Sequence, residues 1–180
     1  LTVLAGPTAV GKGTVVAALT RRYPQLRVSV SATTRAPRPG EKEGVHYFFV
    51  SPQEFDDMIE RGDMLEWALV HGTNKYGTPR GPVDESLNAG VPVLLEIDLD
   101  GARQVRATRP DACFIFLAPP SWEELERRLI GRGTEGPEER ERRLRTARIE
   151  MEAASEFDHV VINDDIERTV DELAGLIGLE

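Results

Sequence analysis

Residues 6–14 read Gly6-Pro7-Thr8-Ala9-Val10-Gly11-Lys12-Gly13-Thr14. Before them, Leu1 to Ala5 is a short apolar run of strand character; after them, Val15, Val16, Ala17, Ala18 and Leu19 can pack as a helix on that strand. Strand, Gly-rich turn, helix is the context that a phosphate-binding loop needs. Gly6 and Gly11 let the backbone turn with its N–H groups in one concavity. The following helix adds unpaired N–H groups and the positive end of its dipole. Lys12 adds a mobile cation for the β- and γ-phosphates of a nucleoside triphosphate. The usual pattern places Ser or Thr directly after the lysine, where it reaches Mg²⁺. Here that position is Gly13, and the hydroxyl follows at Thr14, which leaves Thr14, waters or a distant carboxylate as metal partners.

The chain has 180 residues, enough for one compact α/β domain with small inserted units. A hydrophobic content of 40% and a charged content of 29% are those of a globular chain. The net charge of −9 argues against a general binder of nucleic acids or anionic membranes. Phosphate binding must therefore draw on basic residues gathered in one cleft. Cys113 is the one cysteine, which precludes an internal disulfide, and the three histidines lack metal-ligand spacing. No apolar run approaches the ~18 residues of a membrane span. The cytoplasm is the expected location, and the start on a strand without Met leaves room for preceding native residues.

Along the chain, 26–30 reads as a strand and 31–41 as a Pro/Gly loop carrying Arg35 and Arg38. Two planar guanidinium forks on one rigid loop suit a phosphate dianion, against the alternative of a solvated basic loop. Residues 45–50 read as strand. Ser51 caps a helix running to about Arg61, 64–71 is strand, and 74–79 is a turn. Glu66 lies inside the apolar run 64–71, a costly place for a carboxylate without a partner. Residues 82–89 and 101–109 are helical, and 91–97 and 112–118 are buried parallel strands. Asp98 falls at the C-terminal end of its strand, where open α/β sheets bind ligands, although an acidic helix cap would look the same. From Glu123 to Arg148 the chain is a densely charged helical hairpin opened by Ser121. It is either a solvated face or a lid that closes arginines over phosphates. A strand at 160–162 and a helix at 166–179 close the chain.

The stretches 6–14, S-A-T-T-R-A-P-R-P-G-E at 31–41, L-E-W-A at 65–68, K-Y-G-T at 75–78, L-E-I-D-L-D-G at 95–101, F-L-A-P-P-S at 116–121, I-G-R-G-T-E at 130–135 and V-I-N-D-D at 161–165 occur together in one order and spacing. In this set the chain resembles guanylate kinase along nearly its whole length. The resemblance implies an α/β fold: a P-loop NTPase-like parallel sheet flanked by helices, with an inserted small strand-rich GMP-binding subdomain and a helical lid. The expected divisions are a core of 1–30, 80–120 and 150–180, a GMP-binding unit of about 31–79 and a lid of about 121–149. The implied reaction is MgATP plus GMP giving ADP plus GDP, with dGMP accepted too.

The resemblance also implies roles for residues. The loop Gly6, Pro7, Thr8, Ala9, Val10, Gly11, Lys12, Gly13 and Thr14 holds ATP, with Arg128 beside it and Asn163 near the adenine. Lys12, Arg35, Arg132 and Arg143 are the expected catalytic cations. Ser31, Glu66 and Thr78 match guanine-contacting positions. Arg35, Arg38, Tyr47 and Tyr76 match the GMP phosphate clamp, and Asp98 lies near the same nucleotide. Thr14 is the expected Mg²⁺ ligand. Guanine presents N1–H and N2–H side by side, and a carboxylate accepts both, whereas adenine offers an acceptor at N1. Recognition of this kind discriminates by ~10⁴-fold. ATP and GMP are the expected partners, without nucleic acid, membrane or an obligatory protein partner. Two alternatives stay open: a non-catalytic guanylate-kinase-like domain that binds phosphopeptides, and a related kinase acting on another phosphorylated acceptor.

Overall fold

The computed structural model describes residues 1–131 and 136–180. In chain order the described elements are β1 (Thr2–Ala5), α1 (Lys12–Arg22), β2 (Arg27–Val28), β3 (Ala32–Thr33), β4 (Phe48–Phe49), α2 (Pro52–Glu60), β5 (Met64–Val70) and β6 (Asn74–Pro79). There follow α3 (Arg80–Asn88), β7 (Val93–Glu96), α4 (Leu99–Thr108), β8 (Cys113–Ala118), α5 (Trp122–Ile130), α6 (Pro137–Glu152), β9 (His159–Ile162) and α7 (Ile166–Ile177).

Five strands form a parallel sheet in the order β2-β7-β1-β8-β9. Both faces are covered, which explains why its strands read as nearly continuous apolar runs. Side chains alternate across the sheet. Val3, Ala5, Leu95 and Phe114 pack with Val83 of α3 and Val105 of α4. Leu4, Ile115 and Leu117 pack on the other face with Val15 and Leu19 of α1 and Leu173 of α7. Each such fully buried Leu or Val stabilises the fold by roughly 1.5–3 kcal/mol. The central position of β1 places the turn that follows it at the C-terminal edge of the sheet, between neighbours on both sides.

A second, four-stranded sheet runs β4-β3-β6-β5. It departs from the sequence reading at 74–79. That stretch is a strand, antiparallel to β5 from Val70↔Asn74 to Met64↔Pro79 and to β3 at Thr33↔Tyr76. Asn74, Gly77 and Pro79 favour turns locally, but pairing on both edges supplies more backbone hydrogen bonds than a turn offers. The chain reverses earlier, at His71 (φ 53°) and Gly72 (φ 69°). The expected strands at 26–30 and 45–50 shrink to two residues each. In the second case the chain is still turning, with Gly44 at φ 76° and Val45 N–H bonded to the Lys42 carbonyl. Ser51 and Ser121 cap α2 and α5 as their sequences predict, accepting from the N–H groups of Glu54 and Glu124 at 3.1 Å. Helices α5 and α6 form a hairpin with its own small core of Leu125, Leu129, Leu144 and Ala147. Among the described residues no helix is long and apolar enough to cross a membrane.

Candidate active site

The phosphate loop leaves β1 at Gly6, where there is no space for a side chain: a Cβ would lie 2.4 Å from the Leu117 carbonyl oxygen. Ala9 (φ 70°) and Gly11 (φ 99°) are both left-handed, and the buried Val10 side chain anchors the curl between them. Lys12 is the first residue of α1, and its Nζ donates to the Gly6 carbonyl at 2.9 Å, so the cation closes over its own loop. Burial lowers the Lys12 pKa, while the carboxylates of Glu150, Glu96 and Asp98 act to restore it. Glu150 reaches the loop from the last turn of α6 and accepts from Thr8 N–H at 3.4 Å. Burial pushes its carboxyl pKa up, against the opposing pull of Thr8 N–H and Lys12. Pro7 packs inside, whereas Gly13 and Thr14 are exposed in the first turn of α1.

Arg128 and Asn163 both come to this loop, but to its main chain. Arg128 Nη1 donates to the Val10 carbonyl at 3.2 Å and Asn163 Nδ2 donates to the same oxygen at 2.9 Å. Asn163 is set by the end of the parallel ladder, where its N–H bonds to the Ala118 carbonyl at 2.8 Å. Arg143 lies on α6 and forms an i,i+4 pair with Glu139 at 3.2 Å. Arg132 lies outside the described residues.

The second sheet gathers the other candidates. Glu66 on β5 faces Thr78 on β6 in direct register. Glu66 Oε2 and Thr78 Oγ1 are both buried with no hydrogen-bond partner among the described residues. Burial raises the Glu66 pKa to about 7, helped by Asp98 and Asp100 and opposed by the Thr78 backbone N–H. An orphaned polar pair of this kind costs stability unless something binds to it. Arg35 Nε donates to the Tyr76 hydroxyl at 3.2 Å, and its guanidinium lies 5.2 Å from the Tyr47 ring centre. Glu41 takes a bidentate pair from Arg35 Nη1 and Nη2 at 3.0 and 2.9 Å, and Nη1 also donates to the Ala36 carbonyl. Two guanidinium N–H groups go to Glu41, one to Tyr76 and one to the Ala36 carbonyl, and the Tyr47 hydroxyl is a further hydrogen-bond partner of the same fork. Arg35 together with Arg38 N–H holds the Glu41 carboxyl down to about 2. The Arg38 side chain is exposed beside this corner, and the Ser31 carbonyl binds Phe48 N–H at 2.9 Å. Asp98 caps α4 through Gly101 N–H at 2.8 Å, the acidic-cap alternative that its sequence context left open.

Several functional neighbours were not assigned from sequence. Glu41 sits in the quoted loop six residues after Arg35, so its role as orienting partner could have been suspected. Gly101 carries no local signal. A Cβ there would lie 3.0 Å from Glu66 Oε1 and 3.1 Å from Asp98 Oδ1, so α4 accepts the Glu66 carboxylate through its missing side chain. Gln104 holds the same junction, donating to the Trp67 carbonyl at 2.9 Å and accepting from Trp67 N–H at 3.0 Å. Glu150, in a charge-dense helix, is legible from sequence as surface only.

The parallel sheet, the loop after its central strand and the basic helical hairpin are those of the phosphate-loop kinases. A family model described as guanylate kinase matches residues 1–180. A guanylate kinase of Thermobifida fusca is 60% identical over 98% of this chain and 90% of its own length. One of Cutibacterium acnes is 56% identical over 98% and 89%. The crystal structure of guanylate kinase from Anaplasma phagocytophilum superposes with a TM-score of 0.73 at 35% identity, covering 99% of this chain and 84% of that one. The chain belongs to the guanylate kinase family.

Proposed function

We propose that this chain transfers the terminal phosphoryl group of ATP to GMP, yielding ADP and GDP, in the cytoplasm. The observation that carries the GMP assignment is the orphaned pair Glu66 Oε2 and Thr78 Oγ1, buried side by side on one sheet. A guanine edge with two adjacent donors supplies what the carboxylate lacks, and the hydroxyl takes a further polar atom of the same base. Residues 31–79 serve as the GMP-binding unit and 121–149 as the lid, with the remainder as core.

The acceptor phosphate docks at the Arg35 guanidinium, with Arg38 and the hydroxyls of Tyr47 and Tyr76 around it. Glu41 keeps the Arg35 plane fixed, so little orientation is lost on binding. Backbone N–H groups of residues 6–14 take the ATP phosphates. Lys12 exchanges its bond to the Gly6 carbonyl for the β/γ oxygens. Arg128 and Asn163 hold the loop carbonyl, and lid arginines neutralise charge as the hairpin closes. The GMP oxygen is already an anion, so no general base is needed and catalysis rests on positioning and charge.

Among the described residues no group of three His, Cys, Asp or Glu side chains could cage a metal ion. Mg²⁺ is the expected ion, and it would be carried largely by phosphate oxygens and waters. Thr14 is the loop hydroxyl in the first turn of α1 and would complete its shell. Bound there, the ion supplies charge neutralisation. The intact Lys12 loop favours catalysis over phosphopeptide binding.

Coupled ADP release with GMP, AMP, UMP and a sugar phosphate as acceptors tests the proposal. Turnover with GMP alone, lost by orders of magnitude in Lys12→Ala, is the expected result. Equal rates with AMP, or turnover with none, would refute it.

A further inference from the structure

Thr169 is a fully buried polar residue in the first turns of α7, a helix already capped by Asp165 through the N–H groups of Glu167 and Arg168. Its Oγ1 lies 2.9 Å from the Asp165 carbonyl, 3.4 Å from the Ile162 carbonyl and 3.2 Å from Asn163 Oδ1. A hydroxyl has one hydrogen to give. How the Asn163 amide is turned follows from its far side. That side faces the Val10 carbonyl at 2.9 Å and must present NH₂, because two oxygens at that distance repel. The near side is therefore Oδ1, and it faces Thr169 Oγ1. The Asp165 carbonyl already accepts from Thr169 N–H at 2.9 Å, and among the described residues the hydroxyl is the donor that meets Asn163 Oδ1. The hydroxyl hydrogen is shared between the Asp165 carbonyl at 2.9 Å and Asn163 Oδ1 at 3.2 Å, a three-centre bond that ties Thr169 to the amide, whose N–H in turn holds Val10 O.

Val10 O is the carbonyl between the two left-handed residues of the phosphate loop, and Arg128 of α5 donates to it as well. The amide also walls the loop. A Cβ on Gly11 would lie 3.0 Å from Asn163 Nδ2. Rotation of the Val10–Gly11 peptide would turn N–H groups out of the concavity that holds phosphates. This peptide is therefore held from three elements: α5, the end of β9, and α7 acting through Asn163.

We infer that Thr169 is a positioning residue for ATP: its hydroxyl fixes the Asn163 amide, which holds the Val10 carbonyl and so the phosphate-loop backbone. The inference rests on the reading that residues 6–14 bind the ATP phosphates. Thr169 touches neither nucleotide, and its effect is confined to the ATP side because Glu66, Thr78 and Arg35 belong to the other sheet.

The test compares Thr169→Val, which keeps shape and loses the hydroxyl, with Thr169→Ser, which keeps the hydroxyl. ADP and GMP dissociation constants are measured separately by calorimetry, with thermal unfolding in parallel. Loss of one oriented bond predicts about a fivefold weaker ADP complex in Thr169→Val. GMP affinity should be unchanged and Thr169→Ser should restore ADP binding to within about twofold. In an Asn163→Ala background, Thr169→Val should add nothing. Equal losses for ADP and GMP, unchanged ADP affinity, or a full effect in the Asn163→Ala background would each overturn the inference. Failure of the unsubstituted protein to bind ADP would instead count against the phosphate-loop reading itself.

Discussion

With Glu66 as the proposed reader of guanine, GMP affinity is expected to depend on pH. Burial and the nearby Asp98 and Asp100 raise its pKa to about 7, from an ordinary 4.5. Guanine donates two hydrogens, so it selects the carboxylate. With a pKa of about 7 the ionised fraction is roughly nine-tenths at pH 8 and one-tenth at pH 6, so GMP affinity should fall about tenfold over that interval. Binding at pH 6 should expel close to one proton from Glu66, on top of about half a proton from the GMP phosphate, visible by calorimetry in buffers of different ionisation enthalpy. The GMP phosphate titrates near pH 6 and adds about a twofold change of its own. Glu66→Gln should retain that smaller slope and lose the larger one, while binding GMP more weakly at pH 8 and ADP unchanged.

The ligand-free protein supplies the second arm. The folded pKa lies above the unfolded one, so the folded state holds the proton more tightly. Stability is fullest below pH 4.5 and falls as pH rises toward 7. The shift corresponds to about 3 kcal/mol of destabilisation at pH 8. Glu66→Gln should therefore raise the unfolding temperature at pH 8 and have little effect near pH 4.5. A stability difference independent of pH, or a GMP affinity with the same slope in both proteins, would refute this reasoning.

Three further outcomes are expected. Thr78→Val removes a buried hydroxyl with no partner, so unfolding by urea should show a gain of about 1 kcal/mol while GMP affinity drops. Gly101→Ala forces Glu66 and Asp98 aside, and steady-state kinetics should show a KM for GMP raised by about tenfold with the KM for ATP nearly constant. Glu150→Gln removes a carboxylate from beside Thr8 N–H and Lys12, where phosphates compete for the same donors. Calorimetry should show ADP binding tightened severalfold, and weaker binding would contradict that competition.

Local patterns carried much of the architecture. The apolar runs at 91–97 and 112–118 announced a sheet buried on both faces, and Ser51 and Ser121 announced their helices through three-residue spacing to Glu54 and Glu124. The exceptions share one cause. Residues 74–79 have turn-forming side chains, yet they pair with β5 and β3, and those partners lie remote in sequence or depend on a reversal at His71 and Gly72. β4 pairs along the whole of the two-residue β3, and β2 stops at Val28 opposite Leu94 although β7 runs on to Glu96; no local window records either pairing.

The candidate site divides the same way. The candidate chemistry is legible in the sequence alone: a Gly-rich loop with Lys12, a rigid loop bearing Arg35 and Arg38, and a carboxylate at Glu66 set in an apolar strand. Residue type, spacing and hydropathy are local properties, and these features consist of nothing else. Tertiary structure alone decided how those groups are held. Glu41 takes a bidentate pair from the Arg35 fork, Gly101 yields its space to Glu66, Glu150 reaches Thr8 from 142 residues away, and Thr169 and Asn163 secure the Val10 carbonyl across the sheet edge. Apart from the Glu41–Arg35 pair, which lies within one loop, each of these brings one or two atoms together from distant segments, and only folding brings such partners within range.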